Sequence, residues 1–414
     1  NKGNGGIMIT YGSIVPLIGG ESLGIASALD GQHPEWVLSY SDFEANDEHY
    51  LNYLGKKGWK GDYVKLDENP KYKAKKVDVV NTVCPCAGLS SLSPASSGTN
   101  PTNNWMYESA EYVLGNIKPK VFWGENAPRL AQSTGVPVVK KLREIGKKHG
   151  YVLSIYKTKS KVQGYSQIRD RTFYFFWQGN KAPLFDYIHR PHQRIEDLLI
   201  SVKNKKGDPM SECYNKNIPS EDTVYGWILQ QHGMTHKEFI ENLEQSNINL
   251  FSILDTMGDT KFEAWDNIIA DLEKRDDAGA VRWHRVLKRM ADKEKAGGNT
   301  MRRTIVLPKD YIGAFVGHLP GCLLHPVEDR FLTYREMLSI MYLPEDFELL
   351  NPKRQVNHIC QNVPVKTARD MMEQIKLYFD NKLDLIETDY LLQDNKRKVY
   401  EYEKNGLQLD EFMV

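Results

Sequence analysis

The stretch "VDVVNTVCPCAGLSSLSP", residues 77–94, runs a valine-rich segment into Cys84-Pro85-Cys86 and then into a serine-rich loop. The valines read as a buried strand, and the loop leaves it at the C-terminal end. Three readings of the two cysteines compete: metal ligands, a nucleophile, or small fillers at a strand end. A C-x-C pair needs two further ligands for a tetrahedral metal site, and the other cysteines, 213, 322 and 360, stand singly. "HGMTH" (232–236) has helical ligand spacing but lacks companions, so no metal is expected. A thiolate on a loop of small residues can be exposed and mobile, as covalent catalysis requires, which makes Cys86 the candidate. On these residues alone, the filler reading carries equal weight.

Working outward, short apolar runs alternate with helix-like segments from residue 8 to about 178. "MITYGSIV", "WVLSYSDF", "VDVVNTV", "KPKVFWGENAP", "YVLSIYKT" and "RTFYFFWQ" read as strands. "ESLGIASAL", "WMYESAEYVLGNI" and "VPVVKKLREIGKKHG" read as helices between them. This alternation predicts a doubly wound α/β sheet with ligands at the strand C-terminal ends. Residues 190–300 are polar, charged and helical in pattern, without strand alternation. Short strands return at 301–350, and "TARDMMEQIKLYFDNKLDLIETDYLLQ" (367–393) reads as one long amphipathic helix. The expected division is a first domain at 8–184, a second, mainly helical one at 185–318, a return segment at 319–354 and C-terminal helices at 355–414.

The 414 residues carry 54 basic and 54 acidic side chains, so net charge does not announce a nucleic-acid partner, although basic clusters at 190–194, 203–207 and 282–303 remain candidates. No apolar run reaches the ~18–20 residues of a membrane span, and five scattered cysteines point to a reducing compartment. "NKGNGGIM" reads as a leader, with Met8 as the natural start.

Two further strand ends carry chemistry. "VFWGENAP" (121–128) delivers Glu125, a carboxyl suited to hydrogen-bonding a ring nitrogen. "GYSQIRDRTFYFFW" (164–177) sets Gln167, Arg169 and Arg171 at period two, on one face, where guanidinium groups suit an anion. Singly, each is as readily an ordinary loop or strand edge.

Together, the order strand–Pro-Cys, strand–Glu-Asn, Gln-x-Arg-x-Arg–strand resembles the DNA cytosine-C5 methyltransferase family. Other blocks agree. "LIGGESLGI" (17–25) resembles its glycine turn for S-adenosylmethionine, through Ile18, Gly19 and Gly20. "YSDFEAN" (40–46) offers Asp42 for the ribose, and "WKGDYV" (59–64) offers Asp62 for the adenine. "EDRFLTYREMLSIMYLPEDF" (328–347) is similar to the Arg-x-Leu-Thr-x-Arg-Glu block, and "NHICQNVPVKTARDM" (357–371) to the closing block, placing Gln361 and Asn362, with Pro85, around the donor.

The resemblance implies a Rossmann-like methyltransferase domain with a helical target-recognition domain, acting as a monomer on double-stranded DNA, off the membrane, in a bacterial or phage-infected cytoplasm. It implies Cys86 as the nucleophile on carbon 6 of a flipped-out cytosine, Glu125 on N3 and the amine, Arg169 and Arg171 on the base carbonyl or its phosphate, and Gln167 as loop support. The serines at 89–100 suit a lid. The chain departs from the family at Val15 and Leu17, where Phe and a third Gly are usual, at Cys360-Gln361, where Gly-Asn is usual, and in the loop after Cys86, which offers Asn104, Trp105 and Met106 instead of Asp-x-Arg-Gly. Action on RNA, a modified donor and a non-catalytic DNA-binding homologue are the alternatives. A folate-dependent pyrimidine hydroxymethylase needs neither the glycine turn nor the helical insert.

Overall fold

Buried valine, isoleucine and aromatic runs, too short for helices and flanked by amphipathic segments, assemble into one nine-stranded sheet. The computed structural model describes residues 8–84, 88–90, 96–221, 223–244, 248–298, 305–396 and 400–403. Its sheet strands are β1 (Tyr11–Ile14), β2 (Trp36–Ser39), β3 (Asp62–Lys65), β4 (Val79–Thr82), β5 (Val121–Asn126), β6 (Tyr151–Lys157), β7 (Thr172–Gln178), β8 (Tyr390–Asp394) and β9 (Tyr400–Glu403), in the order β9-β8-β6-β7-β5-β4-β1-β2-β3. The five strands β3-β2-β1-β4-β5 are parallel, whereas β7 runs antiparallel between β5 and β6. The chain winds one way through β1, β2 and β3 and the other way through β4 and β5. The crevice between β1 and β4 is therefore the switch point, where open α/β sheets bind ligands.

Facing aromatics on β5 and β7 lock the centre of the sheet. Phe122 stacks on Phe176 with centroids 5.7 Å apart, and Trp123 on Phe175 at 5.8 Å, pairs that add to the apolar burial. Helices α1 (Gly20–Ala28), α2 (Glu44–Lys56), α3 (Asn104–Tyr112) and α4 (Val136–His149) connect the strands. Gly24 lets α1 press against the C-terminal helix, because a Cβ there would lie 2.5 Å from the Ala368 Cβ.

Beyond the sheet, α5 (Ile195–Ser201) packs with α11 (Tyr334–Ile340), α12 (Pro352–Gln361) and part of α2 in a second apolar core. A third core belongs to α6 (Val224–His232), α7 (His236–Glu241), α8 (Leu250–Leu254), α9 (Glu263–Glu273) and α10 (Ala278–Lys295), closed by Ile305, Leu307, Leu324 and Phe331.

The C-terminal expectation needs correction. The helix α13 (Val365–Phe379) stops well short of residue 393, and β8 and β9 follow it instead of further helix. Asn381 adopts φ 56°, and the main-chain N–H of Lys382 bonds the Leu377 carbonyl at 2.8 Å, a left-handed cap that ends the helix. "YLLQD" then pairs in parallel with β6, burying Tyr390, Leu391 and Leu392. A short apolar run beside a sheet edge buries more as a strand than as another helical turn.

Candidate active site

Register decides which side chains meet. Thr82 of β4 pairs with Gly124 of β5 and with Ile14 of β1, so the chain leaving β4 toward Cys84, the carboxyl of Glu125 and the turn after β1 emerge on the same sheet edge. Glu125 is 5% exposed, and its Oε1 lies 2.7 Å from Nε of Arg171. Burial pushes this carboxyl above its ordinary range, while the Arg171 and Arg169 guanidinium groups pull it partly back. Arg171 is itself held, its Nη1 donating to the Asp170 carbonyl at 2.8 Å and its N–H to Thr158 Oγ1 at 2.8 Å.

The other two residues of the Gln-x-Arg-x-Arg block do different work. Gln167 Oε1 accepts from the Phe315 N–H at 2.9 Å, and its Nε2 donates to the Ile340 carbonyl at 2.9 Å. Arg169 donates to the Phe315 carbonyl at 2.8 Å, to the Cys360 carbonyl at 2.8 Å and to the Asn362 carbonyl at 3.1 Å. Gln167 thus supports the loop. Arg169, expected on a base carbonyl or phosphate, instead clamps three main-chain oxygens; its buried guanidinium is spent on joining this loop to the closing block.

Cys84 is a small buried residue, its Sγ near Thr82, Ser109 and Tyr174, and burial raises its thiol. Pro85 and Cys86, and residues 91–95 of the serine loop, lie outside the described residues. Among the described residues on either side, the Ser97 N–H bonds the Gly88 carbonyl at 2.9 Å. The histidines of 232–236 hold no metal cluster among the described residues: His236 bonds Tyr225 and the His325 carbonyl, and His232 packs edge-on against Phe239.

On the donor side, the turn holds left-handed backbone at Val15 and Leu17, ahead of Gly19-Gly20. Val15 and Leu17 take φ 48° and 53°, left-handed values unusual for such side chains and typical of strain stored at a functional site. Ile18 points into the second core. A Cβ on Gly19 would meet the Tyr50 ring at 2.3 Å, and one on Gly20 the Val363 carbonyl at 2.0 Å. The Gly20 N–H bonds Asn362 Oδ1 at 2.9 Å, which brings the first turn and the closing block together. Gln361 is exposed and reaches Asn46 at 3.4 Å.

Asp42 stands in the turn Ser41–Phe43, at the end of β2 and at the ligand edge. Asp62 does not. It opens β3, opposite Trp36, about 10 Å behind that edge at ~3.3 Å per residue, and accepts from Tyr72. The acid that β3 delivers to the edge is Asp67, which accepts from the Ser41 N–H at 3.0 Å. Sequence reading passed over β3, whose charged, half-exposed "DYVK" lacks an apolar signature. Trp105 packs edge-on against Tyr40 and Phe43, with centroids 4.7 and 5.4 Å apart, which gives the same edge an aromatic wall. The residues fit the donor that the resemblance implies: two carboxylates for hydroxyls or an amine, an aromatic wall for a purine, and buried polar atoms without hydrogen-bond partners among the described residues at Asn362 Nδ2 and both Glu21 oxygens.

The Arg-x-Leu-Thr-x-Arg-Glu block is a structural knot. Arg330 grips Glu336 through two bonds of 2.7 and 2.9 Å, and Thr333 and Glu336 form the capping box of α11.

The chain resembles known proteins. A type II methyltransferase of Methanocaldococcus jannaschii is 27% identical over 210 residues, 46% of this chain and 64% of that protein, so the chain spans under two thirds of the relative. A DNA modification methyltransferase encoded within an E. coli prophage superposes with TM-score 0.51 at 14% identity, over 89% of this chain and 98% of that one. The Entamoeba histolytica methyltransferase EhMeth gives 0.47 at 12% identity, over 91% and 99%. At these identities, structural likeness speaks for the fold alone. The sequence pattern of the C-5 cytosine-specific DNA methylases matches residues 18–377, strand ends and closing block included, and the chain belongs to that family.

Proposed function

We propose that this chain methylates carbon 5 of a flipped-out cytosine in double-stranded DNA. The observation that carries the reading is Glu125, buried at the end of β5 and gripped by Arg171, on the same edge as the β4 exit and the glycine turn. The family's donor is S-adenosylmethionine, which supplies an electrophilic methyl group when bound. Gly19-Gly20, Asp42, Asp67 and Asn362 are the residues that would hold it.

Carbon 5 of cytosine is a weak nucleophile. The Cys86 thiolate adds to carbon 6 and makes carbon 5 electron-rich enough to accept a methyl. In its acid form, which burial favours, the Glu125 carboxyl donates to N3 and accepts from the exocyclic amine, stabilising the charge that develops on the ring. Arg171 keeps that carboxyl aimed. Loss of the carbon-5 proton to water then re-forms the double bond and expels the thiolate. A base stacked in a duplex hides carbon 6, so the target must leave the stack.

The helical unit with its own core is the reader of the target. The solvent side of α10 presents Arg282, Arg285 and Arg289, none with an ion pair among the described residues, over about 10 Å of helix. Unpaired like charges on one helix face repel each other and suit a phosphate backbone. DNA rather than RNA is favoured by the family's description and by the prophage protein's.

The test is a duplex carrying 5-fluorocytosine, incubated with S-adenosylmethionine. A covalent adduct that Cys86→Ala abolishes is expected, and absence of an adduct on DNA overturns the reading. An adduct on RNA alone reassigns the substrate. The drifted turn at Val15 and Leu17 favours one second reading, a modified donor, which mass analysis of the product nucleosides decides.

A further inference from the structure

Glu21 is the second residue of α1, directly after Gly19-Gly20. It is fully buried, and neither carboxylate oxygen has a hydrogen-bond partner among the described residues. Its neighbours use their polarity on one another: Ser13 Oγ lies 2.7 Å from Ser22 Oγ and donates to Asn81 Oδ1 at 2.7 Å. The Asn81 amide and Thr82 main chain favour Glu21's charge but stop short of a formed bond, and burial together with the Glu125 carboxyl holds its proton on. Cys84 and Tyr174 also lie within its electrostatic reach. Glu21 therefore lies between the donor turn, to which it is joined by the chain, and the Glu125 carboxyl, with which it interacts. The nearby guanidinium groups of Arg169 and Arg171 are committed elsewhere.

A buried carboxyl without a partner costs stability unless a ligand completes it. The methyl must pass from the donor turn to the base held by Glu125, so the sulfonium that carries it passes close to Glu21, which the chain and the Glu125 interaction tie to both. We propose that Glu21 is the counter-ion of that sulfonium, giving up its proton when the methyl donor binds and recovering one when the demethylated product is formed. The inference rests on the donor assignment above. The donor bears a cationic sulfur and its product a neutral thioether, both with the same amino acid and adenosine ends. A carboxylate that responds to the sulfur alone separates the two, favouring donor entry and product release.

Titration calorimetry on the full chain at pH 7, in phosphate and in Tris, reads the proton directly. S-adenosylmethionine binding should release protons from the wild type, and S-adenosylhomocysteine binding none. Glu21→Gln should abolish the release and lower the donor-to-product affinity ratio at least tenfold. Glu21→Met, which keeps the volume and removes the polar atoms, should do the same, and thermal melting shows that it folds. Equal proton counts for donor and product, or an unchanged affinity ratio in both variants, overturns the proposal. A wild type that binds neither compound overturns the donor assignment itself, and this proposal with it.

Discussion

The sheet edge and the helical unit treat charge in opposite ways. At the edge, Glu125, Gln167 and Arg169 are at most 5% exposed, and Arg171 is bonded to its neighbours. On the helical unit, the arginines of α10 face solvent, and the core beneath them is aromatic and aliphatic, built on Trp265 packed at a tilt against Phe251 with centroids 4.6 Å apart. The contrast matches the roles proposed above for the two regions. Chemistry needs groups fixed before the substrate arrives; reading a polyanion needs charge left unspent until it binds.

The sharpest break in the comparison comes at Glu125. Glu125→Gln keeps the volume and removes the titratable acid, so single-turnover methyl transfer should fall by about 10²–10³-fold with the melting temperature little changed. Arg171→Ala should act on the same group through pH. The guanidinium holds the Glu125 carboxyl down, so its loss raises that pKa and moves the alkaline limb of the rate profile upward.

Trp265→Ala probes the other region. Emptying this site should cost about 3–5 kcal/mol, read by denaturant unfolding, and should abolish DNA binding while leaving S-adenosylmethionine affinity near wild type, because the helical core is separate. Loss of donor binding in that variant would mean that the two regions fold as one. Arg169→Ala should lower stability by about 3 kcal/mol through three abandoned carbonyls, a loss visible without any substrate. The smallest effect belongs to the α10 stripe. Replacing Arg282, Arg285 and Arg289 by Ala should leave stability within ~0.5 kcal/mol and reduce the salt dependence of DNA binding by about three in log–log slope.

These regions were unequally legible. The order of strand ends around Cys86, Glu125 and Arg171 is local pattern, and local pattern predicts a doubly wound sheet because strand period, helix period and handed crossovers leave few alternatives. The helical unit carries period and charge but no shared motif, so its sequence shows a core and a basic face without a target.

Local pattern in the sequence was enough for six of the nine sheet strands, for the edge at which they end and for Glu125 at the end of β5. Only the tertiary structure separated Arg169 from Arg171, since the first is claimed by carbonyls 146 and 191 residues away and the second by a carboxyl across one strand pair. It also placed Asp67, and not Asp62, at the C-terminal edge of β3, because strand register is set by pairing with β2 and not by the residues of β3. It turned the expected last helix into strands, and it exposed Glu21, an acid whose lack of partners no sequence pattern records. Periodicity is written in neighbours along the chain, whereas register, burial and pairing are settled by segments that meet only when the chain is folded.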